Sequence, residues 1–366
     1  MRKHVSKTIK KNLVLLGILI FVTMTGVGFT IATGGGNPVP VKDDTFQIVT
    51  SFYPVYIATL NVTDGIEGVE VTNMTENSSG CLHDYQLTAK DMRKLEHADV
   101  FIINGAGMET FMEAILQTYP NLMVVDTSKG ISLLEATIHE HIHINQNSYE
   151  DHSHIDEILE AEHSVNEILE VDHSHIDEIL EEDIQKENEL EHNHGNYNGH
   201  IWLNPDTYKM QITNIKNALM KVDTVHALSY EENAHHYIEK VEAIGQELEQ
   251  LGQSRPKEHI VIFHDSYAYL ADKLNFHVVH QVVMEEDTSM SAGEIAEIME
   301  EIKQNNVSIL LAEKQFSNQI PKRIAEETNT QVVVVDSLVS GELDKEAYIN
   351  GMKENIRILK EVFKNG

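Results

Sequence analysis

Short apolar runs alternate with helical stretches along most of the chain, and this alternation constrains the fold more than any other feature. The runs have the length and the content of valine and isoleucine that are typical of buried β-strands. Strands that alternate with helices form a parallel sheet, because the chain must cross back over the sheet between neighbouring strands. The predicted strands are Phe46–Phe52, Val69–Met74, Asp99–Asn104, Leu122–Asp126, His259–Phe263, Phe276–Val283, Ser308–Ala312 and Gln331–Val335.

The alternation falls into two halves on either side of a long helical region. Pro205–Val222 and Ser229–Gln250 have helical patterns, and the second is rich in Glu with Ile, Val and Leu spaced for a buried stripe. We therefore predict an α/β fold with two parallel-sheet lobes linked by a long helix. The predicted boundaries are 45–228 for the N-terminal lobe, 229–255 for the linking helix and 256–366 for the C-terminal lobe.

A histidine-rich and acidic segment, predicted to be an insertion at 135–198, interrupts the first lobe. Of the 21 histidines, 11 lie between His139 and His200, and the stretch 150–191 carries half of the net charge of −32. One interpretation is a solvated acidic loop. The other is a weak metal-binding loop, because imidazole and carboxylate are ligands of divalent metals. Its candidate ligands are three pairs of histidines, His152 with His154, His173 with His175, and His192 with His194.

The N-terminal segment predicts export. Basic residues precede an uncharged run of 20 residues from Leu13 to Ala32, which is typical of a secretory signal and nearly long enough to span a bilayer. We predict a signal peptide or an uncleaved membrane anchor over 1–32 and a linker over 33–44. The protein would then be secreted, periplasmic or tethered to the outer face of the cytoplasmic membrane. The sole cysteine, Cys81, lies far beyond the apolar run. No cysteine directly follows the run, so no lipid anchor is expected there.

Four side chains share one setting at the carboxyl ends of predicted strands. His83 follows the second strand, His200 lies where the first lobe resumes, His264 directly follows the first strand of the second lobe, and Asp336 directly follows its last strand. Open α/β sheets bind ligands beyond these ends. Two lobes that face each other this way would form a cleft with three imidazoles and one carboxylate, a donor set that suits tetrahedral Zn²⁺. Glu313 has an equivalent setting and competes for the carboxylate position.

Each of these residues also has an ordinary structural interpretation. A lone histidine at a strand end is more often a hydrogen-bonding loop residue, and Asp336 could close an Asx turn. Four other histidines are interpreted as structural. Two lie inside a helix, and the other two are three residues apart on a predicted strand, so their side chains project from opposite faces and cannot share a metal. These are His235, His236, His277 and His280.

Several longer motifs resemble the zinc-binding solute receptors of bacterial ABC importers, a group that also includes manganese receptors. They are spread across nearly everything from Thr45 onward except the insertion. The motifs are SFYPVYIATLNV (Ser51–Val62), GCLHDYQLTAKDMRKLEHADVFIINGAGME (Gly80–Glu109), GHIWLNP (Gly199–Pro205), FHDSYAYLA (Phe263–Ala271), LLAEKQFS (Leu310–Ser317) and VVVVDSL (Val332–Leu338). The resemblance implies a metal held between the lobes by His83, His200 and His264, with Asp336 or water in the fourth position. Leu82 stands where the family has proline, which leaves that loop less rigid.

The resemblance also implies the metal and the partners. Manganese receptors carry a carboxylate where this chain has His264, and imidazole suits zinc, so Zn²⁺ is the expected transported ion and Mn²⁺ the alternative. The expected partners are an ABC permease and its ATPase, together with the membrane through the N-terminal segment. We expect a monomer. The strongly negative charge argues against nucleic acid as a partner.

We expect no enzymatic activity, because a site without room for a substrate holds a metal rather than using it. The alternative is a zinc hydrolase, which also combines histidines and an acid but leaves one coordination position open to water. No nucleophile elbow of the G-x-S-x-G kind is found in the sequence.

Overall fold

The structure, a computed structural model, describes residues 45–75, 85–136, 197–282, 290–314 and 319–365. Its strands and helices follow the predicted alternation, so the α/β class is confirmed. The strands are β1 Phe46–Thr50, β2 Val69–Asn73, β3 Val100–Ile103, β4 Val124–Asp126, β5 His259–Ile262, β6 His277–Gln281, β7 Ile309–Glu313 and β8 Gln331–Val335. The helices are α1 Tyr53–Val62, α2 Ala89–Leu95, α3 Met112–Thr118, α4 Pro205–Val222, α5 Ala227–Ser254, α6 Tyr267–Lys273, α7 Ala292–Gln304, α8 Gln319–Thr328 and α9 Ala347–Asn365, with a 3₁₀ turn at Ile201–Leu203.

The strands form two four-stranded sheets with the same topology. Their orders are β2-β1-β3-β4 and β6-β5-β7-β8, and every neighbouring pair is parallel. The inner strands β3 and β7 are buried along their whole length, whereas the edge strands β2 and β6 are only partly buried. Sheets covered on both faces require such continuous apolar central strands. The two halves of the sequence therefore form two equivalent sheets.

Local sequence explains where several helices begin. The Thr88 hydroxyl accepts from the N–H groups of Lys90 and Asp91, and the Asp91 carboxylate accepts from the Thr88 N–H. Ser291 and Glu294 make the same reciprocal capping box at α7. Each capping box requires only two polar residues at a fixed spacing, so the local sequence is sufficient to encode it.

The long helix α5 joins the two sheets. Its 28 residues correspond to a rod of about 42 Å. It packs on α1 and α4, which precede it in the chain, and on α6 and α9, which follow it. One buried apolar cluster runs through both halves, and a second, smaller cluster lies on the face of the second sheet that α7 and α8 cover. The two sheets consequently share one apolar core.

The histidine-rich segment leaves the fold through a narrow neck. Glu135 pairs with Tyr197 in an antiparallel bridge, and the Asn198 N–H donates to the carbonyl of Leu134 over 2.9 Å. The segment between them lies outside the described residues, and with it the six predicted weak ligands from His152 to His194. The N-terminal segment 1–44 also lies outside them. Among the helices that are described, none is both long and apolar enough to cross a bilayer.

Candidate metal centre

Two of the predicted ligands meet where the sheets face each other. His200 directly precedes the 3₁₀ turn of the first half, and His264 follows β5 of the second. Their side chains are almost fully buried, and their ring centroids lie 5.2 Å apart at an interplanar angle of 87°. Together with Asp265 they offer three possible ligand atoms within 4.8 Å of one another.

Asn198 sets the protonation of the His200 ring. Its side-chain oxygen accepts from the His200 backbone N–H and lies 2.9 Å from His200 Nδ1. Because the amide nitrogen of Asn198 donates to the Asp265 carbonyl, the oxygen is the atom that faces the ring. An amide oxygen only accepts, so Nδ1 carries the proton and Nε2 keeps its lone pair. This arrangement prepares Nε2 to bind a metal.

Asp265 lies beside both rings. Its Oδ1 is 3.0 Å from Nδ1 of His264 and 3.5 Å from Nδ1 of His200. A carboxylate at this position favours the tautomers that carry a proton on Nδ1, and it would add negative charge next to a bound cation. Neither Asn198 nor Asp265 was selected from the sequence. Their adjacency to His200 and His264 was the available signal.

His264 has two competing contacts at the same nitrogen. The Ser266 N–H donates to Nδ1 over 3.1 Å, which requires a bare Nδ1, whereas donation from Nδ1 to Asp265 requires a protonated one. A metal bound at Nε2 selects the second state. Metal binding at His264 is therefore coupled to the hydrogen bond with Asp265.

The two candidate carboxylates differ in their surroundings. Glu313, the last residue of β7, is buried, with Oε2 3.7 Å from His264 Nδ1 and Oε1 accepting from the Ser337 hydroxyl. Burial raises its pKa. Asp336 is partly exposed; its Oδ1 accepts from the Leu338 N–H over 2.9 Å and its Oδ2 from Lys314 over 3.2 Å. Asp336 thus makes the Asx-type contact anticipated from the sequence.

Hydrogen bonds between the two halves hold this region together. Trp202 Nε1 donates to the Ser337 carbonyl over 2.8 Å, and the Tyr348 hydroxyl donates to the Trp202 carbonyl over 2.9 Å. The Tyr269 hydroxyl donates to the Asn198 carbonyl and accepts from the Leu134 N–H. These partners are buried or half-buried, so the position of His200 relative to His264 is well defined. The third predicted histidine, His83, lies outside the described residues.

Comparison with known proteins identifies the family of this chain. Residues 48–362 match the family model described as "Zinc-uptake complex component A periplasmic", ZnuA. The chain belongs to this family. The high-affinity zinc uptake system protein ZnuA of Bacillus subtilis is 26% identical over 87% of this chain and 88% of that protein. The ZnuA protein of Brucella abortus is 27% identical over 80% of this chain and 83% of that protein.

A solved structure shows the same fold. The solute-binding protein FpvC of Pseudomonas aeruginosa, in complex with Mn²⁺, superimposes with a TM-score of 0.65 at 17% identity, covering 88% of this chain and 100% of that one. Membership of the ZnuA family makes this chain an extracytoplasmic zinc-binding protein of zinc uptake, whose family works with an ABC importer. The predicted family, function and transported ion are thereby confirmed.

Proposed function

We propose that one Zn²⁺ is held between the two sheets by His83, His200, His264 and Asp336 and is released from there to the permease of the importer. The observation that carries this assignment is the pair of buried imidazoles, one from each half of the chain. Sequence spacing of 64 residues cannot produce such a pair by local structure, so the tertiary fold holds the rings together.

The separation of the two rings fits a shared zinc ion. With Zn–N bonds of about 2.0 Å and about 1.1 Å from nitrogen to ring centre, a tetrahedral angle places two ring centroids about 5.1 Å apart. The centroids of His200 and His264 are 5.2 Å apart. The Asn198 contact, which leaves Nε2 of His200 with its lone pair, supports the same assignment.

Asp336 is our proposed fourth ligand, with Glu313 as the alternative. Parallel strands lie about 4.8 Å apart, so the end of β8 is about 10 Å from the end of β5, close enough for one ion between the two side chains. The Lys314 ammonium that contacts Asp336 is exposed and can move away at low cost. Glu313 is instead tied to Ser337 in the core, where it supports His264.

We propose that the site has no catalytic role. The match to a zinc-uptake family supports transport instead of catalysis, and the sequence has no nucleophile elbow of the G-x-S-x-G kind. The chain does contain one H-E-x-x-H match, His139–His143, but it lies in the histidine-rich segment outside the described residues, where histidines are so frequent that a chance match is expected. Zinc is the cargo of this site.

The rest of the chain has supporting roles in this proposal. The segment 1–32 directs export or tethers the chain at the membrane, and the receptor acts as a monomer with lobes at 45–228 and 256–366 joined by the helix 229–255. The insertion concentrates zinc near the cleft by its negative charge, or reports zinc sufficiency at the cleft mouth.

Metal analysis of the purified protein tests the proposal. We expect one zinc ion per molecule that resists a competing chelator, and loss of this ion in the His264→Ala variant. His226, which pairs with Asp223 on the α4–α5 turn, provides a matched control: His226→Ala should retain the ion. Retention of the tight zinc by His264→Ala would remove His264 from the ligand set. Because most protein sites bind Zn²⁺ more tightly than Mn²⁺, the alternative cargo is tested by the uptake of each ion in cells that have or lack the receptor, and a loss of Mn²⁺ uptake alone would favour manganese.

A further inference from the structure

A second pair of histidines lies at the opposite end of the second sheet. His259 opens β5 and His277 opens β6, and the two residues are register partners on these parallel strands. Register partners on neighbouring strands project from the same face, with backbones about 4.8 Å apart. Their ring centroids are 5.1 Å apart at an interplanar angle of 57°. The sequence pattern related His277 only to His280 on its own strand. It did not reveal His259, the partner of His277 on the neighbouring strand β5.

The separation of these rings is compatible with a shared metal ion. Two imidazoles on one tetrahedral zinc ion have centroids about 5.1 Å apart, as calculated for the cleft. The pair His259–His277 meets this requirement as closely as His200–His264 does. By contrast, the neighbouring exposed rings of His235 and His236 on α5 are 6.0 Å apart, and each contacts a helix glutamate.

The His259 ring is held in the tautomer that binds metal. Its Nδ1 lies 2.6 Å from the carbonyl oxygen of Asn305. A carbonyl only accepts hydrogen bonds, so Nδ1 donates and the lone pair is on Nε2. Histidines that bind metals in proteins commonly donate their other N–H to a carbonyl or carboxylate in this way.

The surroundings favour a cation. Asn305 is the C-cap residue of α7, whose 13 residues end at the amino end of the sheet. The partial negative charge of a helix C-terminus stabilises nearby cations. His277 is exposed and His259 is half-buried, so an ion reaches the pair directly from solvent.

From these contacts we propose that His259 and His277 form a second, surface site for a divalent transition-metal ion such as Zn²⁺, Cu²⁺ or Ni²⁺. Two protein nitrogens leave the remaining coordination positions to water, so this site binds more weakly than the cleft. It is separate from the cleft: His259 begins β5 and His264 follows it, so the two residues are about 16 Å apart along the strand. Hard, oxygen-preferring cations such as Mg²⁺ are not expected to bind.

The test requires a readout at single residues, because the insertion contributes many other histidines. We would label the full-length protein with diethyl pyrocarbonate near neutral pH across a zinc titration that reaches millimolar concentration. Peptide mass spectrometry then gives the modification of His259 and His277 separately. We expect zinc to protect both residues over one shared concentration range and Mg²⁺ to protect neither.

Reciprocal variants decide whether the protection is shared. In His259→Gln the zinc concentration that protects His277 should rise by at least about tenfold, because the second ligand no longer adds its chelate effect. His277→Gln should do the same for His259. His235→Gln, a substitution at an exposed helix histidine, should change neither value. Equal protection of His277 in wild-type protein and His259→Gln, or no protection at either residue by zinc, would overturn the site. None of these outcomes depends on the metal in the cleft, because His264→Ala tests that metal separately.

Discussion

At the scale of single residues, the cleft depends on groups that fix the protons of its imidazoles. Asn198 sets the His200 tautomer, and Asp265 lies beside the Nδ1 atoms of both rings. His200 and His264 were accessible to sequence reasoning, because parallel sheets place ligands at the carboxyl ends of their strands. Asn198 and Asp265 were not, since their roles depend on rotamers and on contacts between distant parts of the chain.

Asp265→Asn should weaken zinc binding without removing the ligands. The substitution keeps the side-chain shape but removes the charge that favours a proton on both Nδ1 atoms. Loss of such a supporting group typically costs about 10–100-fold in metal affinity. Zinc affinity measured by chelator competition checks this value. Asp223→Asn, which alters the comparable pair with His226 away from the site, should leave the affinity unchanged. An Asp265→Asn protein with wild-type affinity would contradict the role given to Asp265.

Glu109 makes stability depend on pH. It is 3% exposed, and the N–H groups of Asn104 and Gly105 donate to its two oxygens. Burial nevertheless raises its pKa to about 7. The folded state therefore keeps a proton that the unfolded state loses near pH 4.3. This contribution to stability is complete below the unfolded pKa and is lost as the pH rises through about 7.

Urea unfolding of wild-type protein and Glu109→Gln across this range tests the effect. Between pH values of about 4.5 and 7.5, the free energy of unfolding of the wild type should fall by on the order of 3 kcal/mol relative to the variant. The Gln variant also loses unfolding free energy by an amount that does not change with pH, because its amide nitrogen faces a backbone N–H donor. The slope with pH is therefore the diagnostic quantity, and parallel curves for the two proteins would refute the raised pKa.

At the scale of elements, the sequence predicted what is local and missed what depends on close packing. Alternating apolar runs predicted the strands, and the capping residues that begin α2 and α7 also form short local motifs. Gly252, inside α5, carried no such signal. A Cβ atom there would overlap the backbone carbonyl of Leu274 at the end of α6, so glycine is what permits α5 to approach α6. A helix pattern alone cannot reveal this contact, because it says nothing about the partner surface.

Gly252→Ala should therefore destabilise the fold, although alanine is the better helix former. Backbone cannot move aside as a flexible side chain can, so we expect a loss of more than about 2 kcal/mol in unfolding free energy. Gly293 in the first turn of α7 is the matched control, since a Cβ there would meet just Ser291 Oγ at 3.8 Å. Gly293→Ala should stabilise by about 0.5 kcal/mol. Denaturant unfolding of both variants measures the contrast, and equal signs would disprove the packing argument.

At the scale of the whole molecule, the two sheets and the helix α5 form a frame that holds His200 and His264 together. The apolar core is continuous across both halves, and the contacts of Trp202, Tyr269 and Tyr348 close the seam beside His200. The segment 137–196 joins this frame at the neck made by Glu135 and Tyr197. Its position in the chain was evident from composition, whereas the neck depends on a pairing that composition does not encode.

Removing residues 137–196 and joining Ala136 to Tyr197 with a few Gly and Ser residues should leave the cleft intact. The ends already meet in an antiparallel bridge, where Cα atoms lie about 5 Å apart. Keeping Asn198 is essential, because it positions His200. Shortening the loop about tenfold lowers its closure entropy cost, so unfolding free energy should rise by about 2 kcal/mol.

Chelator competition should show the tight zinc ion at nearly wild-type affinity, while weakly bound zinc decreases. The same deletion with His264→Ala should lose the tight ion. If the deletion alone abolished tight binding in a folded protein, the segment would have to supply ligands to the cleft, and the assignment of zinc to the three strand-end histidines would fail.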